Sequence, residues 1–234
     1  MPLYLYILIA SAHIPLVFTV FYSDFIIRWK NFFISTSIVA FVFLIWDALF
    51  TKAGIWEFNE EYCVGLKLFM MPIEEWLFFY VIPFCSLFIH FVLKSSFQHF
   101  ILRKNPTRII TVILIVITCL ILFNNLSKAY TAINGVFLLT ALVIGFIFHQ
   151  KLLQRFLLSF LIILIPFFIV NGILTGLITE SPIVKYNDLE NLGVRVFTIP
   201  VEDIGYAFSM LFGNLMIFEW LNRNQEIKAD VPIS

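Results

Sequence analysis

Apolar runs long enough to cross a membrane follow one another along this chain, and that succession restricts the fold more than any motif does. A bilayer core about 30 Å thick is crossed by about 20 helical residues. Runs of that kind fall at Leu3–Phe21, Phe32–Phe50, Pro72–Leu93, Ile109–Phe123, Tyr130–Phe148, Phe156–Ile178 and Ile199–Leu221, of which Ile109–Phe123 is the shortest. With 61% hydrophobic and 13% charged residues, too little polar surface is left to coat a water-soluble domain. Lipid offers the backbone no hydrogen-bond partners, so each run must satisfy its own amides as a helix. The expected fold is an all-α integral membrane protein of about seven transmembrane helices. Met1 to Phe21 carries no Lys or Arg and no break before a small-residue cleavage site, so the first helix is expected to be retained rather than removed as a signal peptide.

Basic residues in the short loops set the expected orientation. Arg28, Lys30, Lys94, Arg103, Lys104, Arg108, Lys151, Arg155, Arg223 and Lys228 fall on one side, against Lys52, Lys67, Lys128, Lys185 and Arg195 on the other. This excess predicts a multi-pass cell-membrane protein with its N-terminus outside, its C-terminus cytoplasmic, and residues 223–234 a polar cytoplasmic tail. Glu219 and Arg223, one helical turn apart, are expected to form an ion pair. Cys63, Cys85 and Cys119 have neither CxxC spacing nor an even number, and are expected to be packing residues rather than disulfide or zinc partners.

An internal repeat divides the chain. Ile45-Trp46-Asp47-Ala48-Leu49-Phe50-Thr51 parallels Ile169-Val170-Asn171-Gly172-Ile173-Leu174-Thr175 at one constant offset. Phe58-Asn59, Gly65, Lys67 and Met71-Pro72-Ile73-Glu74-Glu75 parallel Tyr186-Asn187, Gly193, Arg195 and Ile199-Pro200-Val201-Glu202-Asp203 at an offset slightly longer. Each half reads helix, polar loop, then Pro-x-acid-acid opening the next helix. The expected units are a first repeat over residues 1–104 (helices 1–3), a linker with helix 4 over 105–129, and a second repeat over 130–222 (helices 5–7). An even number of crossings separates the two motifs, so both enter the membrane from one side and the halves are parallel copies.

The motif has a physical logic. Proline is favoured at the first position of a helix, and Glu74, Glu75, Glu202 and Asp203 then stand in first turns, where the helix dipole favours carboxylates. Solvated caps at the membrane surface would look the same. Consecutive acids in both halves, followed by apolar and aromatic residues, point instead to ionisable groups at membrane depth, which mark pathways or reaction centres. Trp76, Phe78, Phe79, Tyr206 and Phe208 are candidate substrate-binding residues around these acids, because aromatic faces stabilise a carbocation. Asp47 and Asn171, at matching helix ends, are candidate hydrogen-bond supports for the acids. No G-x-G-x-x-G or Walker loop is present. The last run holds no lysine for a retinal Schiff base, and His13, His90, His99 and His149 are scattered. No cofactor and no metal site is indicated, although the carboxylates leave Mg²⁺ open.

Ile45-Trp46-Asp47, Gly54-Ile55-Trp56-Glu57-Phe58-Asn59, Met71-Pro72-Ile73-Glu74-Glu75-Trp76-Leu77-Phe78-Phe79, Val170-Asn171-Gly172 and Thr198-Ile199-Pro200-Val201-Glu202-Asp203 resemble the membrane-embedded lycopene cyclase family, in which two homologous small subunits, or their fusion, make the enzyme. The chain is similar to the fused form over roughly residues 1 to 222. The resemblance implies a non-redox carotenoid end-group cyclase, most simply lycopene to β-carotene. The implied partners are a lipophilic carotenoid substrate and the lipid bilayer, with other membrane enzymes of carotenoid synthesis as further candidates, and no nucleic acid. Glu74 and Glu202 are then expected to be the acid/base pair, with Glu75 and Asp203 tuning them. A proton-coupled transporter and a non-catalytic carotenoid- or lipid-binding subunit remain as alternative readings.

Overall fold

The computed structural model describes residues 2–229. Eight helices are present among them: α1 (Leu3–Thr19), α2 (Ser23–Ile27), α3 (Trp29–Ala53), α4 (Ile73–Ser96), α5 (Lys104–Asn124), α6 (Ala129–Phe148), α7 (Gln150–Leu174) and α8 (Glu202–Ala229). Six are long and apolar enough to cross a membrane, and α1 is a shorter apolar helix of 17 residues. The protein is an all-α membrane protein built from two homologous halves.

Three helices of the first half have counterparts in the second: α1 matches α6, α3 matches α7, and α4 matches α8. α1 packs on α4 as α6 packs on α8, and α3 lies against α8 as α7 lies against α4. Each half therefore lends its middle helix to the other half's last one. Inside the bundle, small polar side chains bond across these contacts. Asn214 Nδ2 donates to Thr36 Oγ1 at 2.9 Å, Asn31 Nδ2 to Asn222 Oδ1 at 2.7 Å, and His90 Nδ1 meets Ser159 Oγ at 2.8 Å. Such bonds hold transmembrane helices together where lipid removes the hydrophobic drive to associate.

The loops between α3 and α4 and between α7 and α8 carry the only strands among the described residues. β1 (Trp56–Phe58) pairs antiparallel with β4 (Val184–Tyr186), placing Glu57 opposite Lys185. These two residues occupy equivalent positions in the repeat, so the pseudo-two-fold axis passes through their pairing. The flanking bonds obey it: Asn59 N–H donates to Ile183 O at 2.8 Å and Asn187 N–H to Ile55 O at 2.9 Å. Two tight hairpins, β2 (Lys67–Leu68) with β3 (Met71–Pro72) and β5 (Arg195–Val196) with β6 (Ile199–Pro200), then lead into α4 and α8.

Several expectations need correction. Pro72 does not open its helix; it is extended (φ −63°, ψ 151°) and belongs to the hairpin, and α4 begins at Ile73. α8 likewise begins at Glu202, because Ile199 and Pro200 pair back onto Arg195 and Val196. α7 starts earlier than Phe156 and stops at Leu174, where the chain turns through Gly176 at φ +99°, a conformation that favours glycine. Glu219 pairs with Lys94 of α4 at 2.6 Å rather than with Arg223, because it faces the bundle. The tail is helical as far as Ala229; residues 230–234 lie outside the described part.

Candidate active site

Both acid pairs open their helices, but they do not face the same way. Consecutive helical residues point about 100° apart, so one acid of each pair turns outward to the loop while the other turns into the bundle. Glu74 Oε1 accepts the Val64 N–H at 2.6 Å, and Glu202 Oε1 accepts the Leu192 N–H at 2.7 Å and the Thr131 hydroxyl at 2.7 Å. The two loop bonds have the same ten-residue spacing. Each is reached by a loop that bends through a left-handed glycine, Gly65 at φ +93° or Gly193 at φ +71°. Glu74 and Glu202 thus anchor the loops over the site.

Glu75 and Asp203 line one end of an apolar cavity of about 600 Å³. Its walls follow α4 from Glu75 to Leu93, about 27 Å at 1.5 Å per residue. The cavity reaches the lipid-facing surface between α1 and α7, where the lining residues Ile14 and Ile169 are exposed. Nearly all its polar groups gather at the carboxylate end.

The two inward acids have different company. Glu75 accepts the Tyr4 hydroxyl at 2.5 Å and is in hydrogen-bonding contact with the Asp47 carboxyl. Asp47 Oδ1 accepts the Trp56 indole N–H at 2.6 Å, while its Oδ2 receives no N–H or O–H donor. Two carboxyls can bond to each other only through a proton. Asp203 has no such neighbour: the repeat places Asn171 where the first half has Asp47. Asp203 instead accepts two phenols, Tyr130 at 2.5 Å and Tyr186 at 3.0 Å. Burial pushes the Tyr186 phenol well above its ordinary value, with the Asp203 charge adding to the effect, so it serves as a fixed donor. In the loop facing the first acid pair, burial and then the neighbouring glutamates push the Cys63 thiol up to about 12.

Aromatic rings close this end. Tyr130 stacks on Tyr186 at 5.7 Å, Trp56 meets Tyr130 edge-on at 5.3 Å, and Tyr206 lies 4.9 Å from Trp46. Of the aromatics singled out in the sequence, Phe78 and Tyr206 line the cavity. Trp76 does not: its indole donates to the Leu68 carbonyl at 3.3 Å, beside Phe69. Phe79 is buried beside Phe43 and Phe78, and Phe208 packs among Phe156, Phe160 and Phe212. Asp47 and Asn171 both line the cavity itself rather than standing behind the acids. Tyr4, Tyr130, Tyr186 and Trp56, which hold the acids, were not among the candidates.

A family model described as lycopene cyclase matches residues 2–93 and again 127–221. The chain belongs to the lycopene cyclase family. The two matched segments cover the three corresponding helices of each half, all but the last turns of α4 and α8, and leave α5 between them, so the lycopene cyclase unit occurs twice in this chain. No curated protein and no solved structure matches the chain.

Proposed function

We propose that the chain is a carotenoid end-group cyclase whose simplest reaction is lycopene to β-carotene, by acid/base isomerisation through a carbocation. The observation that carries this reading is the unequal pair of acids at the end of a long apolar cavity open to lipid. One member of the pair, Glu75, shares a proton with a second carboxyl, Asp47; the other, Asp203, is a single carboxylate with two phenol donors. Glu75, supported by Asp47, delivers a proton to the terminal double bond of the polyene. The neighbouring double bond attacks the cation, forming the ring bond, and Asp203 accepts the proton that the ring then loses. One proton enters and one leaves, so no electrons are transferred and the product is an isomer. Paired carboxylates in differing environments divide acid and base roles in this way. The aromatic faces of Trp56, Tyr206 and Phe78 stabilise the cation, by about 0.5 to 2 kcal/mol each where water is excluded. Glu74 and Glu202 act through the loops they hold.

The carotenoid enters from the bilayer between α1 and α7, with the N-terminus outside and the acids near the outer face. Pigment analysis in a host that accumulates lycopene tests the reading. Cyclised product from the parent chain and unchanged lycopene from Glu75→Gln are the expected results. Equal product from both would sink the assignment of the acid, and unchanged lycopene from the parent, with the protein in the membrane, would sink the substrate.

A further inference from the structure

A second groove lies on the opposite side of the bundle, between α3, α6 and α8, with a volume of about 360 Å³. It is the twin of the cavity. Tyr4 and Tyr130, which make equivalent bonds to Glu75 and Asp203, set the register between α1 and α6. In that register the groove residues Val136, Phe137 and Thr140 correspond to Ala10, Ser11 and Ile14 of the cavity. Along the middle helices, groove residues Val39 and Phe43 correspond to cavity residues Ile163 and Phe167, and on the last helices Gly213 corresponds to Cys85. The same surfaces thus make two hydrocarbon channels related by the pseudo-two-fold axis, yet only one reaches the carboxylates.

Two side chains account for the difference. Trp46 stands where the other half has Val170, and Phe137 stands where the other half has Ser11; Val170 and Ser11 both line the open cavity. Trp46 and Phe137 stack at 4.9 Å with their planes 22° apart. Phe43, on the groove side, meets Tyr206, on the cavity side, at 5.0 Å and edge-on. The channels are therefore separated by a double layer of rings that stands beside the acids.

We propose that the Trp46–Phe137 stack, which backs the cavity-lining ring of Tyr206, is the end stop of the substrate cavity, selecting chains that terminate at the carboxylates over chains that continue beyond that point. This rests on the cyclase reading for its substrate class. A chain stopped by the wall presents its last double bonds to Glu75 and Asp203; a chain elongated at its terminus cannot seat without displacing the packed rings of the wall. Steric exclusion at a fixed wall discriminates more sharply than the loss of a favourable contact, because a close-packed interior gives way only at a cost.

The test exchanges the wall residues for those of the twin positions, Trp46→Val with Phe137→Ser. Binding is measured in a Glu75→Gln background, so that it does not depend on turnover. The probes are lycopene and the same polyene elongated at both termini by a prenyl group, followed by quenching of the remaining tryptophan fluorescence. With the wall intact, the elongated chain is expected to bind at least about tenfold more weakly through its elongated end group, the discrimination that rejection of added bulk supplies. The exchanged variant should lose that discrimination. Adding Gly213→Leu should restore it: a Cβ at Gly213 meets nothing within 4 Å, so a side chain there starts into the open space of the groove. Phe137→Ser alone gives the same direction of change should the double exchange fail to fold. Equal binding of both polyenes with the wall intact, or discrimination that survives the exchange, overturns the end stop. A parent that binds lycopene but does not cyclise it overturns the proposed function and leaves the end stop to be judged by binding.

Discussion

The first half holds its inward acid with another acid, and the second holds its inward acid with phenols. Glu75 has Asp47 and Tyr4; Asp203 has Tyr130 and Tyr186, with Asn171 in place of the second carboxyl. Much of the frame around them is duplicated: the loop bonds to Glu74 and Glu202, the left-handed glycines, the hairpins, and the ion pairs Lys67–Glu60 and Arg195–Asp188. A duplicated frame with unlike contents shows where a two-fold molecule can do one-directional chemistry. In the proposed reaction the frame positions the acids, and the contents differ because a proton is given at one point and taken at another.

This comparison can be broken most directly at the acids themselves. Glu75→Gln and Asp203→Asn are each expected to lower cyclisation by about 10²- to 10⁴-fold, the usual contribution of a general acid or base, read as pigment conversion per unit of membrane-inserted protein. Asp47→Asn should cost somewhat less, about 10²-fold, by removing the partner that shares the proton with Glu75. Asn171→Asp, added to it, should not restore activity, since the acid would then stand in the wrong half; recovery there would erase the division of roles. Tyr186→Phe removes one of two donors to Asp203 and should cost about 10- to 100-fold, as for a hydrogen bond to a charged group worth about 1.5 to 3 kcal/mol. Because the Tyr186 phenol is pushed up, the parent should keep its rate through the pH range in which an ordinary tyrosine ionises. The smallest effects on catalysis belong to Glu74→Gln and Glu202→Gln. Both occupy duplicated positions, so both should lower thermal stability in detergent by a similar amount, about 1 to 3 kcal/mol. A catalytic loss in one as deep as that of Glu75→Gln would return it to the chemistry.

Much of this frame is legible in the amino-acid order, and the reason is periodicity. Helix positions follow from apolar runs, and the two halves from matched strings such as Met71-Pro72-Ile73-Glu74-Glu75 and Ile199-Pro200-Val201-Glu202-Asp203. Which acid of each pair faces the cavity is not legible, because the helices begin one or two residues after the prolines and one residue of phase turns the pair by about 100°. Tyr4 and Tyr130 were missed for another reason. Each lies early in an apolar helix with no spacing that ties it to an acid, and only packing of α1 on α4 and of α6 on α8 brings it to one 71 or 73 residues away. The same holds for the wall between the channels, where Trp46 and Phe137 come from opposite halves.

α5 carries a further consequence. Counting the shorter α1, each half holds three apolar helices, and two such halves joined directly, end to start, would be inserted upside down relative to each other. α5, in the stretch between the two matched segments, supplies the one extra crossing that restores the parity. What α5 contributes to this arrangement is parity, a property of how many times the chain crosses rather than of any side chain.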